Sequence, residues 1–120
     1  LRRQRQMCIR DSYCRVIRQT FMNQFSKTSM QDFLKNITAQ VGYSRGLVIR
    51  LNVDLSDTQR MAINIYKDKK SAMKVWEQYG QKIVNDTKEA GVKVEVLEGN
   101  VTVFDFGPEM DLSKLDRYEI

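Results

Sequence analysis

The alternation of apolar and polar side chains along the chain predicts four strands in the order β-α-β-β-α-β. We expect the first strand over residues 13–22, which are rich in β-branched and aromatic side chains. Residues 47–55 and 61–66 alternate with a period of two, as half-buried strands do, and a short polar turn joins them. Residues 92–97 alternate in the same way and predict the fourth strand.

Apolar stripes with a helical period separate the strands and predict two helices. The first is expected to follow a short polar connection, to begin with Thr28 or Ser29 as its N-cap, and to end at Gly42. Asp68 is the expected N-cap of the second, which ends at Gly91. The stripes consist of Met30, Phe33, Leu34, Ile37 and Val41 in the first helix, and of Ala72, Val75, Trp76, Tyr79, Ile83, Thr87 and Ala90 in the second.

The end of the pattern leaves two alternatives open. Gly99 and Asn100 either form a two-residue hairpin turn that leads to a fifth strand over residues 101–106, or lie at a bulge in one long strand, with Gly99 at positive φ. The domain is expected to occupy residues 13–106, and residues 107–120 to form a charged tail.

This order predicts an α+β, ferredoxin-like fold, an antiparallel sheet with two helices on one face. One sheet face is wholly apolar, and burying each such side chain is worth roughly 1.5–3 kcal/mol, so we expect the helices to cover it. The other face is mixed and suits a partly wet pocket closed by a second subunit. The apolar face comprises Leu47, Ile49, Leu51, Met61, Ile63 and Ile65; the mixed face comprises Val48, Arg50, Asn52, Ala62, Asn64 and Tyr66.

Composition indicates one soluble domain, because the chain has 120 residues, of which 42% are hydrophobic and 29% charged. No apolar run is long enough to predict a membrane span, and no secretory signal is recognisable. Residues 1–12 resemble a translated sequencing adapter, so we expect them to be a non-native extension rather than a basic arm. They carry four arginines and one aspartate, which leaves only +2 of the formal +5 charge for residues 13–120.

Cysteine and histidine content narrows the chemistry. Outside residues 1–12 only Cys14 remains, which excludes an internal disulfide and predicts a reducing, cytoplasmic location. The chain has no histidine, which removes the commonest general base, metal ligand and haem ligand, and we expect no metal site.

Four segments resemble the dimeric α/β-barrel superfamily, in particular its antibiotic-biosynthesis-monooxygenase-like (ABM) and stress-responsive barrel domains. They are Tyr13-Cys-Arg-Val-Ile-Arg18, Ala62-Ile-Asn-Ile-Tyr66, Lys67-Asp-Lys-Lys-Ser-Ala72 and the helix from Trp76 to Val84. The resemblance implies a homodimer paired sheet to sheet, with a small molecule bound between sheet and helices or inside the barrel. Some members oxidise aromatic polyketides with dioxygen and no cofactor. Others degrade haem by means of a histidine, which this chain lacks.

A cofactor-independent monooxygenase needs groups that hold the anion of an aromatic or enolisable substrate near dioxygen. Amide, phenol and indole donors can do this. Asn64 and Tyr66 are therefore the candidate catalytic residues. The structural alternatives are an amphipathic strand end for Tyr66 and a core position for Trp76. The candidate ligand-binding residues are Arg50, Asn52, Asn64, Tyr66 and Trp76.

Two other classes of function remain open. One is a non-catalytic dimerisation or ligand-binding module on the same fold. The other is an RNA-recognition motif, which shares this strand and helix order but requires several base-stacking aromatic residues on its central strands. The strand over residues 60–66 offers only Tyr66, so we do not expect nucleic-acid binding.

Overall fold

A computed structural model of the chain describes residues 11–31, 33 and 43–111. Its sheet is antiparallel throughout, with the strand order β2-β3-β1-β4. The strands are β1 Tyr13–Thr20, β2 Leu47–Asp54, β3 Gln59–Tyr66 and β4 Lys93–Asn100. One helix, α1, follows β1 and a second, α2, follows β3, so the predicted α+β, ferredoxin-like fold is confirmed.

Helix α1 begins earlier than predicted. Residues 24–31 are helical, and Asn23 caps them, since the backbone N–H of Ser26 donates to Asn23 Oδ1 over 2.8 Å. The predicted caps Thr28 and Ser29 lie inside the helix, where each hydroxyl donates to the carbonyl four residues earlier. The predicted positions Leu34, Ile37, Val41 and Gly42 lie outside the described residues.

Helix α2 is continuous but irregular at its centre. It runs through an α-helical part, Lys69–Val75, a π-helical segment, Trp76–Gly80, and a second α-helical part, Gln81–Glu89. The predicted N-cap is confirmed, because the N–H of Ser71 donates to Asp68 Oδ1 over 2.7 Å.

The end of α2 is also as predicted. Gly91 has φ +89°, the left-handed conformation that favours glycine, and its N–H donates to the carbonyl of Lys88. Neither α2 nor any other helix in the described part of the chain is long and apolar enough to cross a membrane.

A bulge at the start of β2 reverses the direction of one predicted residue. Leu47 pairs with Tyr66 and Ile49 with Ile65, so Val48 is the extra residue. Leu47 therefore faces the helices and is buried beside Tyr66. The prediction that Leu47 shares a face with Ile49 is wrong, because a pattern of alternation carries no signal for an inserted residue.

β4 is a single strand without interruption. It pairs with β1 in register from Lys93 to Asn100, with Gly99 opposite Cys14. Gly99 does not have positive φ, so both the predicted hairpin and the predicted bulge are wrong. After one further hydrogen bond, from the N–H of Val101 to the carbonyl of Ser12, the chain leaves the sheet, and the described residues contain no fifth strand.

The helices cover the mixed face of the sheet, not the apolar one. On β3 the buried side chains are those of Arg60, Ala62, Asn64 and Tyr66, whereas the residues between them are only half-buried. The prediction had the two faces exchanged. Hydrophobicity alone does not say which face receives the helices, because buried polar side chains can find hydrogen-bond partners, as Arg60 does in Gln19 and Asn52.

Substituting Gly91 and Gly99 by alanine tests this backbone. Gly91→Ala should lower the free energy of unfolding by roughly 1–2 kcal/mol, because alanine is strained at positive φ and its Cβ would lie 3.0 Å from Met22 Sδ. Gly99→Ala is the matched control and should not destabilise, since its Cβ would meet nothing within 4 Å. Urea denaturation measures both, and a greater loss for Gly99→Ala would contradict the uninterrupted β4.

Candidate functional site

A cavity lies between the sheet and α2. Its volume is about 60 Å³, which is enough for several water molecules or a small organic group. The sheet supplies its polar wall and α2 its aromatic and aliphatic wall. The lining side chains from the sheet are Arg15, Ile17, Gln19, Asn52, Arg60, Ala62, Asn64 and Tyr66, and those from α2 are Val75, Trp76, Tyr79, Ile83 and Val84.

The structure brings four of the five predicted ligand-binding residues together. Asn52, Asn64, Tyr66 and Trp76 all line this cavity, whereas Arg50 does not. Arg50 is half-buried on the same sheet face and lies two residues before Asn52 in β2. The cavity lies under α2 and not, as predicted, on the face opposite the helices.

Arg15 lies at the centre of the polar wall, only 2% exposed. Its Nη1 donates to the carbonyl of Ala72 over 3.1 Å, and its Nε lies 3.5 Å from Glu98 Oε2. The guanidinium carbon is 4.9 Å from the ring centroid of Trp76 and 5.7 Å from that of Tyr66, within the range of cation–π attraction. Its Nη2 finds no hydrogen-bond partner among the described residues.

Glu98 connects Arg15 to a second phenol. Tyr13 donates its hydroxyl to Glu98 Oε1 over 2.7 Å, which raises the pKa of Tyr13. Burial alone would raise the pKa of Glu98. The hydrogen bonds from Tyr13 and Arg15 and the positive charge of Arg15 outweigh burial, so the pKa of Glu98 lies below its ordinary value. Glu98 is therefore ionised at neutral pH and balances part of the Arg15 charge.

Asn64 lies directly opposite Arg15 in the pairing of β1 with β3. It is 2% exposed, and its Oδ1 has no hydrogen-bond partner in the described part of the chain. Leaving such an acceptor unpaired costs about 1–3 kcal/mol. Because Asn64 also lines the cavity, a molecule inside the cavity is the natural partner for this oxygen.

A second buried arginine lies further along the same wall. The terminal nitrogens of Arg60 donate to Gln19 Oε1 and, over 2.7 Å, to Asn52 Oδ1. Burial, reinforced by the charge of Arg50, lowers the pKa of Arg60 to about 10. Arg60 is still positively charged at neutral pH, so it adds to the positive potential of the cavity.

Tyr66 presents a neutral phenol. It is 3% exposed, and burial raises its pKa, although the positive charge of Arg15 acts in the opposite direction. At neutral pH its hydroxyl is therefore protonated and available as a donor.

Gly80 allows Trp76 to lie against the cavity. A Cβ at Gly80 would be only 2.9 Å from Cε3 of the Trp76 ring, closer than carbon atoms pack. Both residues belong to the π-helical segment, and such segments are frequent at functional sites. Close packing against the indole therefore explains a glycine in mid-helix.

Solved structures share this architecture, although no protein-family model and no curated protein matches the sequence. The chain is similar to SnoaB, a cofactor-independent oxygenase from Streptomyces nogalater, with 18% identity and a TM-score of 0.64 over 82% of this chain and 99% of SnoaB. An asparagine-to-alanine variant of SnoaB matches with a TM-score of 0.65 at the same identity and coverage.

A second similar structure is a dimeric ferredoxin-like protein from an uncultured marine organism. It shares 14% identity with this chain and has a TM-score of 0.62, and the match covers 79% of this chain and 98% of that one. At such identities the likeness shows a common fold.

Sequence reasoning did not identify Arg15, Gln19 and Arg60 as cavity residues. Arg15 and Gln19 lie at alternate positions of a strand whose Tyr13 and Ile17 share the same face. This alternation along β1 was the signal that could have identified them. Arg18 obscured it, because this further charged residue lies on the opposite face.

Residues 11–31, 33 and 43–111 contain no group of three or more histidine, cysteine or acidic side chains that could hold a metal ion.

The Glu98 network predicts a specific pH dependence of stability. A carboxylate whose pKa is lowered in the folded state stabilises it above the unfolded-state pKa, and this contribution is lost as the pH falls through the folded-state value. Glu98→Gln should therefore be less stable than wild type at pH 7, and the two stabilities should converge as the pH falls through the lowered folded-state pKa of Glu98. Denaturant titrations between pH 7 and pH 3 measure this.

The control for the loss of charge is Glu77→Gln, which removes an exposed carboxylate from α2. A constant difference between Glu98→Gln and wild type across this pH range would show that the carboxylate makes no linked contribution.

Proposed function

We propose that this protein is a small-molecule-binding, homodimeric α/β barrel of the ABM type that acts as a cofactor-independent monooxygenase on an aromatic or enolisable substrate. The observation that carries the proposal is the cavity, in which a buried amide and a buried phenol face an indole. The fold likeness to SnoaB, a cofactor-independent oxygenase, supports the same reaction class.

In this reaction the protein binds the substrate and stabilises its anion electrostatically. The substrate loses a proton from an activated methylene carbon, and the resulting carbanion, delocalised as an enolate, donates electrons to dioxygen. One oxygen atom is retained as a carbonyl in place of the two hydrogens, and the other leaves as water. A buried site favours this sequence, because hydrogen-bond donors that are already in place stabilise the enolate oxygen without reorganisation of solvent.

The cavity residues suit separate tasks. The Tyr66 hydroxyl is a donor for the enolate oxygen, and the unpaired Oδ1 of Asn64 orients a hydroxyl of the substrate. The Trp76 ring, held against Arg15, forms a flat wall for an aromatic substrate. Because the cavity is small, we expect it to enclose the reacting end of the substrate while the remainder extends toward its mouth.

The opposite face of the sheet supports a homodimer. We call it the outer apolar face. Its side chains Leu51 and Leu97 are 51% and 58% exposed, which favours a second copy of the chain as a cover. Within the described residues this face bears no aromatic side chain, so it lacks the base-stacking surface of an RNA-recognition motif. The outer apolar face consists of Val16, Ile49, Leu51, Val53, Met61, Ile63, Ile65 and Leu97.

Cys14 is a free thiol on the same side of the sheet. We place the protein in the cytoplasm, whose reducing conditions keep such a thiol unoxidised.

Oxygen consumption with an anthrone tests the proposed reaction. Wild-type protein should consume oxygen and form the anthraquinone without an added metal or flavin. Asn64→Ala and Tyr66→Phe should each lower kcat/KM by about 10²-fold, as removal of one preorganised hydrogen-bonding group does. Asn85→Ala, which changes an exposed asparagine of α2, is the control and should retain full activity.

Lack of oxygen consumption by wild type, combined with binding of the anthrone in the cavity, would favour the non-catalytic ligand-binding alternative. Equal activity of wild type and Asn64→Ala would remove Asn64 from the proposed mechanism.

Sedimentation tests the proposed dimer. Leu97→Glu should convert the dimer to monomers at micromolar concentration, because it places a carboxylate within an apolar contact. Phe25→Glu changes a side chain of α1 that is 81% exposed and should leave the assembly unchanged. A monomeric wild-type protein would contradict the proposal.

A further inference from the structure

The walls of the cavity are positively charged. Arg15 and Arg60 both line it, and the described lining residues include no aspartate or glutamate. The nearest compensating carboxylate to Arg15 is Glu98, which lies outside the lining and makes only a 3.5 Å contact with Nε. A buried cation is costly unless an anion balances it, so the cavity favours a negatively charged occupant.

Arg15 keeps one end of its guanidinium unused. Its Nη1 and Nε are directed to Ala72 and Glu98, and the residue is almost wholly buried, yet Nη2 has no partner among the described residues. The guanidinium carbon lies over the rings of Trp76 and Tyr66, which adds cation–π attraction but does not give Nη2 a hydrogen-bond partner. An anionic oxygen is the strongest partner for such an N–H group.

Asn64 provides the complementary group beside it. The two residues are directly paired across β1 and β3, and Asn64 Oδ1 is buried and without a partner in the described structure. An unpaired donor therefore lies next to an unpaired acceptor in one cavity. A ligand satisfies both if it presents an anionic oxygen to Arg15 and a hydroxyl to Asn64.

We infer that the cavity selects a planar hydroxy acid, whose carboxylate binds Arg15 Nη2 and whose neighbouring hydroxyl donates to Asn64 Oδ1. This inference rests on the ligand cavity of the proposed function and specifies the substrate class. Arg60 is the weaker anchor, because both of its terminal nitrogens already donate to Gln19 and Asn52, which leaves only its Nε without a partner in the described structure.

Trp76 provides a direct measurement, because it is the only tryptophan in the chain and lines the cavity. Its indole N–H gives a single resonance in a ¹H–¹⁵N correlation spectrum, which is followed during titration of the whole chain. The probes are salicylate, which has both groups, benzoate, which has only the carboxylate, and phenol, which has only the hydroxyl. We expect salicylate to bind at least about tenfold more tightly than phenol, with benzoate between them.

Two substitutions assign the contacts. Arg15→Gln should reduce salicylate affinity to that of phenol, and Asn64→Leu should reduce it to that of benzoate. Arg18→Gln is the matched control on the opposite face of β1, where Arg18 pairs with Glu95, and it should leave all three affinities unchanged. The comparison of probes on the wild-type protein needs no variant, so it decides the matter even if Arg15→Gln does not fold.

The outcomes separate this inference from the proposed function. If phenol binds as tightly as salicylate, the cavity binds small molecules but the inferred anion selectivity is wrong. Equal losses of affinity in Arg15→Gln and Arg18→Gln would also overturn it. If none of the probes moves the Trp76 resonance while an anthrone does, the oxygenase proposal stands and the hydroxy acid is excluded. If neither a probe nor an anthrone binds, both are wrong.

Discussion

The buried guanidinium of Arg15 is the constraint on which the rest of this structure depends. It contacts β4 through Glu98, α2 through the carbonyl of Ala72, and two aromatic rings, so one side chain ties both layers of the fold together. A charge in that position must be balanced and hydrogen-bonded. Glu98 and the carbonyl of Ala72 satisfy Nε and Nη1, whereas Nη2 has no partner in the described structure.

This arrangement divides the work of the sheet between its two faces. The inner face carries the polar side chains that line the cavity, and α2 covers it with aromatic and aliphatic side chains. The outer apolar face lacks polar recognition groups at its centre and suits contact with another apolar surface. The bulge at Val48 makes the division sharper, because it turns Leu47 inward to the core while Ile49 and Leu51 stay outside.

The order of elements could be predicted from sequence because it depends on local signals. Alternation marked the strands, Asp68 marked the start of α2, and Gly91 marked its end. The choice of the covered face could not be predicted in this way, because it depends on whether Arg15 and Arg60 find partners from distant segments. Such partners, Glu98 and Gln19 among them, become neighbours only after the strands pair.

The same reasoning explains the outcome for the candidate site. Asn64 and Tyr66 were selected because their amide and phenol groups can hold an anion, and Asn52 because it lies near them on the same sheet. The period of two was enough to place the three together. Arg50 shares their face and pairs with Asn64 but does not line the cavity, and alternation along β2 does not distinguish it from Asn52. The π-helical segment of α2, which sets the position of Trp76, likewise has no simple sequence signature.

The half-buried outer face has a thermodynamic consequence. Many of the side chains buried within one chain are polar. Apolar burial therefore supplies less of its folding free energy than in a sheet with a wholly apolar core. Pairing of two copies and occupancy of the cavity, as proposed above, would each favour the native state by mass action. Resistance to denaturation would then rise with the concentration of the protein and of its ligand, so that the same chain would unfold more readily when dilute.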